Sequence, residues 1–297
     1  MYIGIIRLYR GRYLRSPTFN DLTRIYEVHE SKHLFPGMIG SIDCMHWEWG
    51  NCPTAWRGLY TRGDHGHPTV SLQAICSQDL WIWDAYFGSV GSNNDINVFN
   101  ASAVPEYYTS RSISMLPFYA NETFYQHGYY LTDGIYPEYA TFVKAFQQPI
   151  DPKRAYFKKK QESARKDIER CFGVLKKRWH YVKNPCRVWT LAKMSDAMYA
   201  CIILHNMILE DEGRAICQHY VPGSVPEQFP EPTEFEREMN MRQWRSRDTH
   251  HALRHDLVEH IWNNRPMLEE DEVEDDDEDE DDFDQVGEDW AEVDPED

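Results

Sequence analysis

The order of its apolar segments constrains this chain more than any other feature. Residues 38–49, 69–77 (TVSLQAICS) and 81–89 (WIWDAYFGS) are short apolar runs, the last two joined by the polar pair Gln78-Asp79. Runs of strand length bounded by turn residues read as strands, and three so closely spaced predict an antiparallel meander. Residues 94–102 (NDINVFNAS) then read as a short helix with Asp95 near its start. A fourth strand, GYYLTD at 128–133, stops at Gly134, with Pro137 beyond. Helical periodicity follows. From about 156 to 180, Ile168, Cys171, Phe172, Leu175 and Trp179 recur at three- and four-residue steps, and 191–210 repeats the pattern through Met194, Met198, Cys201, Ile202, Leu204, Ile208 and Leu209. Three strands, a helix, a strand and then helices is no alternating βαβ series. It predicts an α/β chain with a mixed sheet and flanking helices.

Outside that body, residues 1–37 read as helix and then loop, with a helix opening at Ser16-Pro17-Thr18, capped by Thr18 or Asn20, and a stop at Pro36-Gly37. The Pro-rich stretch 222–232 reads as a linker and 233–263 as an amphipathic helical extension. The domain expectation is therefore 1–37 as a helical region, 38–212 as the body, 213–268 as linker and extension, and 269–297 as a tail. No run of 18 apolar residues is present, so no membrane span is expected. The start MYIGIIRLYRGRYLR lacks a basic n-region and a small-residue cleavage site, and reads as helix and not as a signal peptide. The seven cysteines are odd in number and scattered, with no CxxC pair, which favours free thiols in a reducing compartment.

The net charge of −18 misleads until it is located. Residues 269–297 carry 20 acids and no Lys or Arg, which leaves 31 basic against 29 acidic residues in the rest. Like charges repel and little apolar surface is available there, so disorder is expected for the tail. Between Lys153 and Lys193 there are 14 Lys/Arg against Glu162, Asp167 and Glu169. Such a segment can neutralise phosphates, and an acidic tail can compete for the same surface.

Two carboxylates stand inside apolar strands: Asp43 in GSIDCMH and Asp133 in YLTDG. A carboxylate in a buried strand costs several kcal/mol unless it is paired or bound to a metal. Each Asp also suits a turn cap at a strand end. Glu169 falls roughly 90° from the centre of its helix's buried stripe, where it can reach over the sheet edge or pair with Arg165, Lys166 or Arg170 as a solvated Glu. Held together, three carboxylates would need divalent cations, and hard oxygen ligands favour Mg²⁺ or Mn²⁺. Two such ions about 3.5–4 Å apart can activate a water or a 3′-hydroxyl and stabilise the leaving oxygen of a phosphodiester.

Four segments occur in order: PGMIGSIDCMHWEWGNCPTAWRGLYTRGDHG, WIWDAYFGSVGSNNDINVFN, GYYLTDGIYPEYATFVK and ESARKDIERCFGVLKKRW. Over roughly residues 15–212 they resemble the plant-transposon branch of the PIF/Harbinger family, a DDE superfamily that includes the domesticated Harbinger-derived nuclease. The resemblance implies an RNase H-like fold in which Asp43, Asp133 and Glu169 are the catalytic, metal-binding triad, the last two 36 residues apart. It implies two Mg²⁺ or Mn²⁺ ions, cleavage and strand transfer on double-stranded DNA, a nuclear location and a Myb-like DNA-binding partner protein. A homo-oligomer is carried as a further expectation. Relatives carry a helical DNA-binding region well upstream of the first Asp. Only 42 residues precede Asp43 here, so the chain is expected to begin inside that region. The alternative expectation is a transposase-derived, non-catalytic scaffold that binds DNA or protein.

Lys158, Lys159, Lys160, Arg165, Lys166, Lys176 and Lys177 are the DNA-binding candidates; the Lys158-Lys159-Lys160 cluster, with Lys153-Arg154, also suits a nuclear import signal or a solvated face. Asp95, in a motif similar to the family's, is an accessory acid or a helix-start residue. His46, Cys52, His65 and His67 match no zinc spacing. His205-Asn206 reads as a hydrogen-bonded core pair, and Trp47, Trp49 and Trp56 as core residues or base-stacking platforms.

Overall fold

The three closely spaced apolar runs form the predicted meander. In the computed structural model, which describes residues 2–63, 66–110, 116–217 and 231–266, they are β1 (Met38–Glu48), β2 (Thr69–Cys76) and β3 (Ile82–Val90), all antiparallel. A hairpin, β4 (Phe118–Ala120) and β5 (Thr123–Tyr125), precedes the fourth apolar run, which is β6 (Tyr129–Thr132). β6 pairs parallel with β1, and β7 (Phe142–Lys144) pairs parallel with β6. The five-stranded order is β3-β2-β1-β6-β7, a mixed sheet flanked by helices. Every residue of β2 is buried, as a strand covered on both faces must be.

The hairpin escaped the sequence reading because its turn is Asn121-Glu122, both at positive φ (47° and 66°), where an Asn-Gly or Asp-Gly pair would have announced it. β7 is three residues long, too short for any periodicity.

The helices are α1 (Tyr2–Tyr13), α2 (Phe19–His33), α3 (Arg57–Tyr60), α4 (Asp95–Ala101), α5 (Val104–Ser110), α6 (Pro152–Arg178), α7 (His180–Lys183), α8 (Leu191–Asp211), α9 (Glu234–Trp244) and α10 (Arg247–Asn263). Thr18 caps α2 through a capping box with Asp21, as one of the two expected caps. α6 starts earlier than its apolar stripe suggests, because Asp151 caps it and Pro152 takes its first position, where no N–H is needed. Its buried stripe runs through Phe157, Ala164, Ile168, Cys171, Phe172 and Leu175; Trp179 caps the end and is only partly buried. The extension at 233–263 is helical, with a break at Arg245-Ser246 that divides it into α9 and α10.

Met1–Asn264 is one compact unit. Within it, Tyr13 at the end of α1 donates to Glu210 of α8 at 2.7 Å. Trp244 of α9 donates to Thr141 beside β7 at 2.8 Å. The other unit, Arg265–Asp297, includes the acidic tail, and 267–297 lies outside the described residues, as do 218–230, which take in most of the expected linker. No described helix is long and apolar enough to cross a membrane.

Candidate active site

Two parallel strands bring the first two acids together. β1 and β6 pair Met38 with Tyr129, then, after a register shift, Gly40 with Tyr130 and Ser41 with Leu131. Gly40 is required where it stands: a Cβ there would lie 2.2 Å from the Cys76 carbonyl oxygen of β2. Continued two residues, the register sets Asp43 opposite Asp133, on strands about 4.8 Å apart.

The Asp43 side chain is 18% exposed. Its Oδ1 accepts the Cys44 N–H at 2.8 Å, and its Oδ2 accepts from Arg165 Nη1 at 3.2 Å. Burial pushes its carboxyl up to about 6; the Cys44 N–H and Arg165 pull the other way, and the charges of Asp133 and Asp95 add to the rise. Asp133 Oδ1 accepts the Ile135 N–H at 3.0 Å, so this acid does cap a turn as well as face the cluster.

Asp95 joins them. Asn94, not Asp95, caps α4, accepting the Asn97 N–H at 2.9 Å. The Asp95 carboxyl is raised by burial first and by Asp133 second, while a hydrogen bond with the Cys44 thiol and the charge of Arg62 lower it. Cys44 Sγ lies 3.7 Å from the Tyr136 hydroxyl. The three acids that share an electrostatic field are therefore Asp43, Asp95 and Asp133.

Glu169 approaches from α6, which is fixed over the sheet by two contacts. The Ser41 hydroxyl meets the Ala164 carbonyl oxygen at 3.5 Å, and buried Gln161 donates to the carbonyl oxygens of Thr132 (3.0 Å), at the end of β6, and Val143 (3.2 Å), in β7. Glu169 is 52% exposed, and Arg165 Nη2 donates to its Oε1 at 2.9 Å. One guanidinium thus spans Asp43 and Glu169. As the side chains stand, no three His, Cys, Asp or Glu among the described residues converge closely enough to hold an ion. Asp167, buried on the same helix, pairs with Arg170 and faces His33 Nε2 at 3.5 Å, away from this cluster.

The DNA-binding candidates divide by helical geometry. At about 100° per residue, Lys158, Arg165 and Lys176 share the row of α6 that carries Glu169, while Lys159, Lys166 and Lys177 form the next, exposed row. Lys160 lies on the other side, against the Tyr156 ring at 5.8 Å. Sequence reasoning missed Lys144: it follows Val143 on β7, pairs across from Thr132, and donates to the Tyr136 carbonyl oxygen at 2.9 Å. Burial lowers its pKa, and Asp133 is among the acids that oppose the shift. A cation at the end of a three-residue strand has no pattern to mark it.

A family model described as plant transposon protein matches residues 11–216. The chain belongs to the plant transposon protein family. The match spans all seven strands, and hence Asp43, Asp95 and Asp133, together with α6 and Glu169; α9 and α10 lie beyond it. No curated protein and no solved structure matches the chain.

Other residues of this plant transposon protein have structural explanations. His205 is buried with Nε2 2.9 Å from the Leu80 carbonyl oxygen, and Asn206 closes both backbone groups of Ile82, so the pair is a hydrogen-bonded core pair. Trp47 and Trp49 are buried, whereas Trp56 is exposed and stacks on Tyr60. His46 Nδ1 is 3.0 Å from the Thr69 hydroxyl, and His67 Nε2 is 3.8 Å from Glu48. Cys52 is buried, and His65 lies outside the described residues.

Proposed function

We propose that this plant transposon protein is a metal-dependent DNA nuclease or transposase domain of the PIF/Harbinger type, with Asp43, Asp133 and Glu169 as its acidic triad and Asp95 as an accessory acid. The observation that carries this reading is the placement of Asp43 on β1 and of Asp133 just past the end of β6, the parallel neighbour of β1, on the sheet packed by the helix that bears Glu169. The strand order, three antiparallel strands followed by two parallel ones on the far side of β1, supports an RNase H-like reading of the sheet. The donor set is all hard oxygen, which fits Mg²⁺ or Mn²⁺. Burial and the nearby charges of Asp133 and Asp95 raise the Asp43 carboxyl, an electrostatic setting that a divalent cation would relieve.

Two such ions, when bound, would supply Lewis acidity and an activated oxygen nucleophile for phosphodiester cleavage and joining. The protein's own groups supply the rest. Asp43, Asp133 and Glu169 orient the ligand set. Lys158, Lys176 and the exposed row Lys159, Lys166 and Lys177 follow one side of α6, where they can hold double-stranded DNA by its phosphates. A nuclear location, a Myb-like partner protein and assembly as a homo-oligomer belong to the same proposal and rest on the sequence resemblance.

The test is nicking of supercoiled plasmid DNA in Mn²⁺. Asp43→Ala, Asp133→Ala and Glu169→Ala should each abolish cutting while the circular dichroism stays that of a folded protein. Cutting at the wild-type rate by any one of them removes that residue from the triad.

One observation favours the alternative, a non-catalytic scaffold: Arg165 pairs with both Asp43 and Glu169 without any metal. A scaffold would bind DNA or a protein partner indifferently to the three alanine substitutions.

A further inference from the structure

We infer that Arg165 is an internal counterion that keeps divalent cations from Asp43 and Glu169 until a DNA phosphate draws it away. The inference rests on the proposed function and adds to it the order in which substrate and metal bind.

Three observations carry it. Arg165 places one nitrogen on Asp43 Oδ2 at 3.2 Å and the other on Glu169 Oε1 at 2.9 Å, so both ends of its fork are committed to two members of the triad. Asp43 Oδ1 accepts the Cys44 N–H and Oδ2 accepts from Arg165, so Arg165 is the group on the Asp43 oxygen that no backbone N–H holds. Arg165 is part-buried, with 21% of its side chain still open to solvent, on the row of α6 that carries Lys158 and Lys176. Those lysines stand 7 and 11 residues from it, about 10 and 16 Å along the axis at 1.5 Å per residue.

A guanidinium and a divalent cation compete for the same carboxylate oxygens. A phosphate offers the guanidinium a planar, two-oxygen partner equal to a carboxylate. A DNA backbone laid along Lys158 and Lys176 passes Arg165, and the fork can turn from the acids to the phosphate without being left unpaired. Asp43 Oδ2 and Glu169 are then exposed together. Because coupling between two ligands is reciprocal, DNA tightens metal binding by the factor by which metal tightens DNA binding. Metal is thereby bound more tightly with substrate than without it, which limits idle cation binding by the free protein.

The test is Mn²⁺ titration by calorimetry on the full chain, for wild type, Arg165→Gln and Arg165→Lys, each with and without a double-stranded oligonucleotide. The same titrations on Asp133→Ala are subtracted, which removes Mn²⁺ held by the DNA and by the 20 acids of 269–297. The expected result is that, without DNA, Arg165→Gln binds Mn²⁺ about tenfold or more tighter than wild type, within the usual 5- to 150-fold span of such coupling. DNA should tighten the wild type and leave Arg165→Gln unchanged. Arg165→Lys, which keeps the charge but reaches only one carboxylate at a time, should fall between them and covers the case in which Gln unfolds the site. Equal or weaker binding by both variants without DNA, with Asp133-dependent binding present in wild type, overturns the counterion role and leaves the triad standing. No Asp133-dependent binding in any protein, with or without DNA, overturns the metal site itself and the counterion role with it.

Discussion

The Gln161 side chain donates to the Thr132 carbonyl oxygen at 3.0 Å, joining the helix that bears Glu169 to the last residue of the strand before Asp133. Its second amide hydrogen serves Val143 at 3.2 Å, so one buried side chain ties α6 to both β6 and β7. Gln161→Leu should cost about 1–3 kcal/mol, because two carbonyls lose their donor in a buried place. Urea unfolding measures it. A midpoint equal to wild type would show that water replaces the amide at no cost.

Asp43 makes stability depend on pH in a defined direction. Its carboxyl is held at about 6, against 3.8 for the exposed group, so the folded state binds this proton more tightly than the unfolded chain. Its favourable contribution is complete below about pH 4 and is lost as pH rises through about 6. Arg165 from α6, Asp95 from α4 and Asp133 at the end of β6 are the charges that face it. Asp43→Asn should therefore melt higher than wild type at pH 7.5, with the difference vanishing toward pH 4. A lower melting temperature at pH 7.5 would mean that the Arg165 pair outweighs the burial of the charge.

Trp244 fastens α9 to the body. Its ring stacks on Tyr108 with centroids 5.2 Å apart and planes 9° apart, its indole N–H reaches Thr141, and its carbonyl oxygen accepts the Ala140 N–H at 2.8 Å. Trp244→Ala should cost about 3–5 kcal/mol, the usual range for a buried aromatic. Fluorescence and circular dichroism during urea unfolding should fall together, since α9 and the sheet share one core. Separate transitions in the wild type would show instead that the extension unfolds on its own.

The exposed row on α6 has an ionic signature. Replacing Lys159, Lys166 and Lys177 together by Ala should leave the unfolding midpoint unchanged. It should also flatten the dependence of log affinity on log salt by about 0.9 for each phosphate that is no longer neutralised. Anisotropy of a labelled duplex at several salt concentrations reads this. An unchanged slope would place the DNA elsewhere.

Much of this architecture is legible in the sequence. The meander, the short helix at Asp95, the strand that stops just before Asp133 and the two long helices all follow local signals of apolar period and turn residues. The hairpin at Asn121-Glu122 and the three-residue β7 lack such signals, and no sequence pattern reveals them. At the site, Asp43 stands out as an acid inside an apolar strand, and Asp133 and Asp95 as acids at a strand end and a helix start. Arg165 reads in sequence as one more phosphate-binding cation, because nothing on its own helix distinguishes a residue facing DNA from one facing an acid 122 positions away.

The sequence by itself determined the meander, the strand before Asp133, the two long helices, the cap of α2 and the acids set in apolar runs, since each depends on neighbours within a few residues. Only the tertiary structure decided that β6 lies parallel beside β1, that Asp95 and Lys144 join Asp43 and Asp133, and that Arg165 stands between Asp43 and Glu169. Those facts depend on pairing register and on where α6 crosses the sheet. Both are set by contacts between distant segments, and no local pattern encodes them.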